Sequence, residues 1–577
     1  MPATVTQLEK ALLADASVEE GWKLIQRFAA LNRESGSRDE HAAADYIAGR
    51  LRHFGVPFEM HQPDLYLSLP RSASVVLGAT GTVLPGKPPA FAATSPADGI
   101  TAPAVHVPAA RAKDVTDIFS DHRPETDVRG QIVVSEGYAM PAAVLRFERA
   151  GAVAQVYINP GKRVHWGICT SIWGTPGDGD LARKPTTPIA AISRPDGERL
   201  LRHLKAGGII TVRTALEEGW YRCKLPVATI PGRSDSFLLV HGHYDSWDVG
   251  IGDNAVGDAT LLEIARILHR HRKKLRRTIK VAWWPGHSMG RYAGSTWFAD
   301  HFALELRKRC VAAVNIDSPG CWKATAYEEV MWMAEADALC RAAIKDATGV
   351  TPHRLRPIRA GDYSFNQLGL TSFFMLLSNI PQAERDRLGF YPVGGCGGNI
   401  AWHTEDDGLP VADRDNLVRD LRVYLTAFAR VLNARILPLD YRATVRELAA
   451  AVSACAKDAG AAVRLTPIQT ELRTLQTALQ RFYRRATRPA GGRRADRIND
   501  ALMELARLLV PLNYAAGERF VHDPALPLGV IPRLAGISGL KACPPERLPF
   551  VRAGIERQIN HVANTVYEAA RLLAASS

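Results

Sequence analysis

Cysteine is scarce and dispersed: eight in 577 residues, at positions 169, 223, 310, 321, 340, 396, 455 and 543, with no CxxC pair. This argues against a disulfide framework or a zinc ribbon and fits a thiol protein of the cytosol. No run approaches the roughly 18 consecutive apolar residues of a bilayer span. The opening MPATVTQLEKALLADASVEEGWKLIQRFAALN lacks the basic start, apolar core and cleavage site of a secretory signal, and reads as amphipathic helix. Solenoid repeats and low-complexity tracts are also missing. These absences predict a cytoplasmic globular protein with no membrane partner. At 577 residues it exceeds what one hydrophobic core supports, so several domains are expected.

Acidic residues are outnumbered, 59 against 72 Lys and Arg, for a net charge of +13. The excess is local: residues 435–577 hold 21 basic and 12 acidic side chains. Within them, RFYRRATRPAGGRRADR (481–497) reads as a solvated helix end and connector rather than an RNA-binding patch, and no nucleic-acid partner is expected.

Three textures follow one another. Residues 38–56 place Ala43, Tyr46, Ile47, Leu51 and Phe54 at helical spacing, with Gly55 where a helix stops. From about 70 to 220, short β-like runs such as QIVVSEG, AQVYIN and IITVRT alternate with Gly/Pro-rich loops and predict a compact β-rich module. Strand and helix then alternate through SFLLVHG, ATLLEIARILHRH, IKVAWWP, a helix over 293–306 and VAAVNID, predicting a mainly parallel α/β sheet. After about 435 only helices remain.

Each α/β strand ends in side chains able to bind a divalent metal, at the carboxyl edge where open α/β sheets place their ligand sites. The first supplies His243 and, in the loop GIGDNAVGD, Asp253. The second supplies His287 and Ser288, and the third Asp317. His403 and Asp406 follow in WHTEDD. Imidazole with carboxylate suits zinc and similar ions. Asp245 lies on the same side of the chain as His243 and is placed to accept its other ring N–H. The Trp283–Trp284 pair reads as packing. The glycine-rich loop 393–399 precedes His403 and reads equally as a substrate wall or a turn. Its Cys396 is a nucleophile candidate set against a merely packed thiol.

These residues resemble the co-catalytic zinc aminopeptidase and glutamate carboxypeptidase superfamily, above all its glutamate carboxypeptidase and transferrin receptor branch. The resemblance rests on RESGSRDEHAAADYIAGRL, HGHYDSWDVGIGDNAVGDATLLEIAR, AWWPGHSMGRYAGSTWFAD, NIDSPG and WHTEDD. It implies an α/β zinc-peptidase-like domain (1–90 and 221–434), an inserted protease-associated-like β-rich domain (91–220) and a helical dimerisation domain (435–577). It implies one or two zinc or other divalent ions per chain. His243 and Asp317 would hold the first, Asp253 would bridge, and His403 would hold the second. Asp245 would orient His243, and Asp362 in GDYSFNQLG matches a family Asp more weakly.

One departure stands out. Where the family carries a Glu-Glu pair, a general base followed by a metal ligand, this chain carries His287-Ser288. His287 is then either a ligand beside His403 or a base near neutrality, and Ser288 a hydrogen-bond donor to the reacting group. Loss of the second metal is the third possibility. Arg291 and Tyr292 lengthen the loop and are placed either to recognise a carboxylate or simply to extend it. The expected activity is hydrolysis of an amide or peptide-like bond in a small-molecule or short-peptide substrate by a homodimer. The rivals are a lyase or cyclase with His287 as base, and a non-catalytic dimeric binding protein.

Overall fold

The computed structural model describes residues 6–78, 80–460, 462–486 and 491–575. The first five residues of the opening segment and residues 487–490 of the arginine-rich stretch lie outside the described residues. The opening segment is not one helix but two, Gln7–Ala14 and Glu19–Phe28. The next helix runs Arg38–His53 with the Ser37 hydroxyl capping its start. Ala43, Ile47 and Leu51 face the core, and Gly55 turns the chain at φ 68°.

Strand β1 (Phe58–His61) leads into seven strands: β2 (Asp64–Leu77), β3 (Thr82–Lys87), β4 (Ile100–His106), β5 (Ile132–Glu136), β6 (Ala154–Ile158), β7 (Ile189–Ile192) and β8 (Ile209–Arg222). They close into a barrel of order β2-β3-β7-β6-β5-β4-β8. The β-rich unit therefore begins near Asp64, not at residue 91. β2 pairs with β8 from Asp64–Arg222 to Leu77–Ile210, so the entering and leaving strands of the module are neighbours. Val75, Leu84, Val134, Val156, Ile192 and Val212 fill its interior.

Beyond the barrel come β9 (Leu225–Ile230), β10 (Ser234–His243), β11 (Arg277–Trp284) and β12 (Cys310–Asn315), in a sheet of order β1-β9-β11-β10-β12. β10 runs parallel to β11 and β12, whereas β9 runs against the rest, antiparallel to β11 on one side and to β1 on the other. The sheet is mixed rather than mainly parallel. Alternation along β10 explains its apolar run: Leu238 and Val240 pack toward helices Val256–Arg270 and Arg414–Asn433, whereas Phe237 and Leu239 pack beneath Phe298 and Leu306. Trp283 and Trp284 divide between the same two faces and are fully buried. The single helix expected over 293–306 is interrupted at Phe302, giving Ala293–His301 and Ala303–Arg309.

The C-terminal helices Tyr441–Ala459, Thr466–Ala486, Gly492–Tyr514 and Leu548–Ala575 share one apolar cluster with the sheet's first face. Buried Arg507 pins them down, donating to the carbonyls of Arg307, Gly369 and Cys310. No helix among the described residues is long and apolar enough to cross a membrane.

Arg33, fully buried, donates to the carbonyls of Tyr244 (2.7 Å), Val249 (2.7 Å) and Gly250 (2.9 Å) and so shapes the turn after β10. Arg33→Met leaves those acceptors unmet and is expected to cost about 3 kcal/mol of unfolding free energy. Urea denaturation of the metal-free protein measures this.

Candidate metal centre

β10 ends at His243 and β12 at Asn315, side by side in the sheet, which brings His243 and Asp317 together at its carboxyl edge. The turn held by Arg33 carries Asp253 to the same point. Ligand atoms of His243, Asp253 and Asp317 all lie within 4.8 Å of one another. His243 Nε2 is 2.9 Å from Asp253 Oδ1 and 3.9 Å from Asp317 Oδ2. The other oxygen of Asp253 is 2.9 Å from His403 Nε2. Asp253 thus stands between two imidazoles, one oxygen toward each.

The donor set fits a divalent cation. His243 Nε2 and Asp253 Oδ1 are buried and make no hydrogen bond of proper geometry despite their proximity. Burial opposes charge on Asp253, but the close imidazoles of His243 and His403 outweigh it and hold its carboxyl well below the usual range. Burial and the charge of Asp253 push Asp317 up to about 6.

The two histidines that flank Asp253 are each oriented through their second nitrogen. His243 Nδ1 donates to the backbone carbonyl of Asp245 at 3.0 Å, while that residue's carboxylate is 3.6 Å away. The expected acceptor, the Asp245 side chain, is engaged elsewhere: by the Ser35 hydroxyl (2.7 Å) and the N–H groups of His287 (3.1 Å) and Ser288 (2.9 Å). His403 Nδ1 donates to the carbonyl of Trp166 in the β-rich module, and the Trp166 N–H returns a bond to the His403 carbonyl. Trp402 stacks on the His403 ring at 3.8 Å.

His287 enters a cavity of about 60 Å3 that it lines with Asp253, Asp317, Arg291, Tyr292 and His403. Its ring stacks on His243 at 3.7 Å, and Nδ1 lies 2.8 Å from Asp362 Oδ2. Because an ionised carboxylate only accepts, Asp362 fixes the proton on Nδ1 and leaves Nε2 its lone pair. Burial raises the Asp362 pKa, but the adjoining His287 imidazole, through its hydrogen bond and through its charge once protonated, brings it below the ordinary value. The Ser295 hydroxyl donates to the other oxygen of Asp362 (2.6 Å). Tyr292 meets His287 edge-on, Trp173 packs on Tyr292 at 4.4 Å, and the Arg359 guanidinium covers Trp173 at 3.5 Å.

Other candidates fall outside this cavity. Ser288 is buried, faces Asp245 through its N–H and does not line the cavity. Cys396 lies beneath Asp407, 3.4 Å from its Oδ2, and burial pushes its thiol pKa up, the opposite of an activated nucleophile. Asp406 points outward to pair with Arg163 at 2.8 Å. Its neighbour Asp407 takes the inward place, accepting N–H bonds from Gly252 (2.6 Å) and Asp253 (3.0 Å). Asp407, Ser295 and Trp166 were not picked out from the sequence. Only the DD doublet in WHTEDD offered a signal, since hydroxyl and carbonyl partners leave no spacing pattern.

Residues 227–426 match peptidase family M28. The match ties residues 227–426, rather than the whole chain, to the co-catalytic zinc peptidase superfamily. Leucine aminopeptidase 2 of Arthroderma otae is 27% identical over 293 residues, covering 50% of this chain and 55% of that protein. A probable glutamate carboxypeptidase VP8 of Zea mays is 25% identical over 345 residues, covering 49% and 48%. The chain spans about half the length of these curated relatives. The aminopeptidase from Aneurinibacillus sp. strain AM-1 shares the fold at a TM-score of 0.53 and 19% identity, covering 73% of this chain and 95% of that one. The M28 segment contains His243, Asp253, His287, Asp317, Asp362 and His403.

Asp407→Asn weakens acceptance of the Gly252 and Asp253 N–H bonds and frees the ligand turn. Zinc affinity, read by competition with a chelating dye, is expected to fall roughly 10- to 100-fold with the fold retained.

Proposed function

We propose that this protein is a metal-dependent hydrolase that cleaves an amide or peptide-like bond in a small substrate, with His287 managing the proton. The observation that carries this reading is the His287–Asp362 pair, whose imidazole lines one cavity with Asp253, Asp317 and His403 while the carboxylate stands behind it. His243, Asp253 and Asp317 would hold one divalent ion, zinc being the natural choice, and Asp253 with His403 would contribute to a second. When bound, the ion supplies Lewis acidity, polarising a carbonyl and easing deprotonation of water.

The chain's own residues supply the rest. His287 Nε2 accepts the proton from the attacking water and passes it to the leaving nitrogen. Asp362 keeps Nδ1 protonated and stabilises the imidazolium that forms, and Ser295 holds Asp362 in place. Ile168, Ile358, Met375 and Leu376 line the cavity and limit water. The β-rich barrel would serve as a protease-associated-like cap, and residues 435–577 as the contact surface of a homodimer in the cytoplasm. Ser288 acts through its backbone in this scheme, although its sequence position pointed to a hydroxyl donor.

The zinc-loaded protein is to be incubated with a pool of dipeptides and N-acylated amino acids in heavy-oxygen water. One heavy oxygen in each new carboxylate is expected. Products without label would replace hydrolysis by a lyase or cyclase reaction using the same base. Failure to retain metal after zinc loading would favour the non-catalytic binding protein. His287→Ala is expected to lower kcat by about 10²- to 10⁴-fold with zinc content unchanged. A parallel loss of zinc would reassign His287 as a ligand.

A further inference from the structure

Three of the buried guanidinium groups in this molecule are spread over several backbone carbonyls. Arg33 and Arg359 each donate to three backbone carbonyls and Arg507 to four. Arg291 does not follow the pattern. It is 3% exposed, donates to one carbonyl, that of Ile168 at 3.3 Å, and its Nε is buried without a partner. Among the described residues no carboxylate pairs with it. The Nε–H is therefore left unanswered, and the charge meets only the face of the Tyr292 ring, 5.2 Å away.

Its location gives that charge a direction. Arg291 lines the small cavity with His287, Asp253 and Asp317, and also lines an adjoining cavity of about 300 Å3 bounded by Phe119, Pro141, Leu355 and Ile358. It stands where the two meet. The loop is held there at a conformational cost, because Arg291 and Tyr292 both adopt left-handed backbone angles, φ 47° and 70°. The Arg291 carbonyl accepts the Gly174 N–H at 2.7 Å, and the Tyr292 hydroxyl accepts that of Gly361 at 2.8 Å. Strain retained around an unpaired buried charge is the mark of a binding group, since a purely structural arginine would be met by carbonyls or an acid.

We propose that Arg291 is the specificity-determining residue of this site. It receives an anionic oxygen group of the substrate, a carboxylate or a phosphoryl group, and so sets the bond to be broken beside His287. The inference rests on the cavity being a substrate site, not on which bond is broken, and binding tests it apart from turnover. Calorimetry compares N-acetylglycylglycine, its C-terminal amide and the analogue ending in aminomethylphosphonate, on zinc-loaded and chelator-treated protein.

Wild type is expected to bind the acid at least about 10-fold tighter than the amide, with or without zinc. Arg291→Gln is expected to erase that preference, and Arg291→Lys to retain part of it, keeping the charge but losing the planar fork. Tighter binding of the phosphonate assigns a phosphoryl group, and tighter binding of the acid a carboxylate. Equal binding of acid and amide by wild type overturns the proposal, even if the glutamine variant fails to fold. A preference that survives Arg291→Gln, or vanishes when zinc is removed, overturns it as well. Anion-selective binding without any turnover would instead count against hydrolysis and leave the role of Arg291 standing.

Discussion

A carboxylate taken out of water must be met by positive charge, by hydrogen bonds or by a proton, and around the end of the sheet this demand shapes nearly everything. Asp245, Asp253, Asp317, Asp362 and Asp407 are all buried there. Asp362 is met by His287 and Ser295, Asp245 by a hydroxyl and two peptide N–H groups, and Asp407 by two more peptide N–H groups. Burial and the charge of Asp253 raise Asp407 to about 7 against the lowering effect of the two N–H bonds it accepts. Asp253 and Asp317 are left facing one another and His243 without a full set of partners. The turn after β10, the loop after β11 and the end of β12 all converge on that unmet demand.

The clustering of His243, Asp253 and Asp317 was readable because strand ends are marked by apolar runs, and the carboxyl edge of an α/β sheet is where such residues meet. Their supports were less readable. The ring nitrogens of His243 and His403 are held by backbone carbonyls, which every residue possesses, so no residue type advertises them. In WHTEDD the choice between Asp406 and Asp407 depends on a turn's direction, and Arg163 from the barrel draws the first outward. The barrel's start was misplaced for a related reason. β2 and β8 are far apart in sequence, and only their pairing shows that residues 64–87 belong with the β-rich unit. Asp362 had little local signal, and its weight comes from a contact 75 positions away.

An imidazole at position 287 suits its surroundings. A carboxylate there would add another buried negative charge beside Asp362 and Asp317. An imidazole reverses that, pairing with Asp362 and stacking on His243. The Trp166–His403 bonds extend the arrangement into the barrel, making the β-rich unit part of the ligand geometry. Movement of one unit against the other would rotate an imidazole.

Arg359 covers the outer ring of the stack that runs through Trp173 and Tyr292 to His287, and its donors end on carbonyls of Tyr363, Asp523 and Pro524. Two of those carbonyls belong to the segment between the last long helices. The C-terminal region is therefore a buttress for the innermost histidine, not an appendage that can be trimmed. A minimal fragment of residues 227–426 would keep Arg359 but lose Trp173, on which it lies, and the carbonyls of Asp523 and Pro524 that hold it.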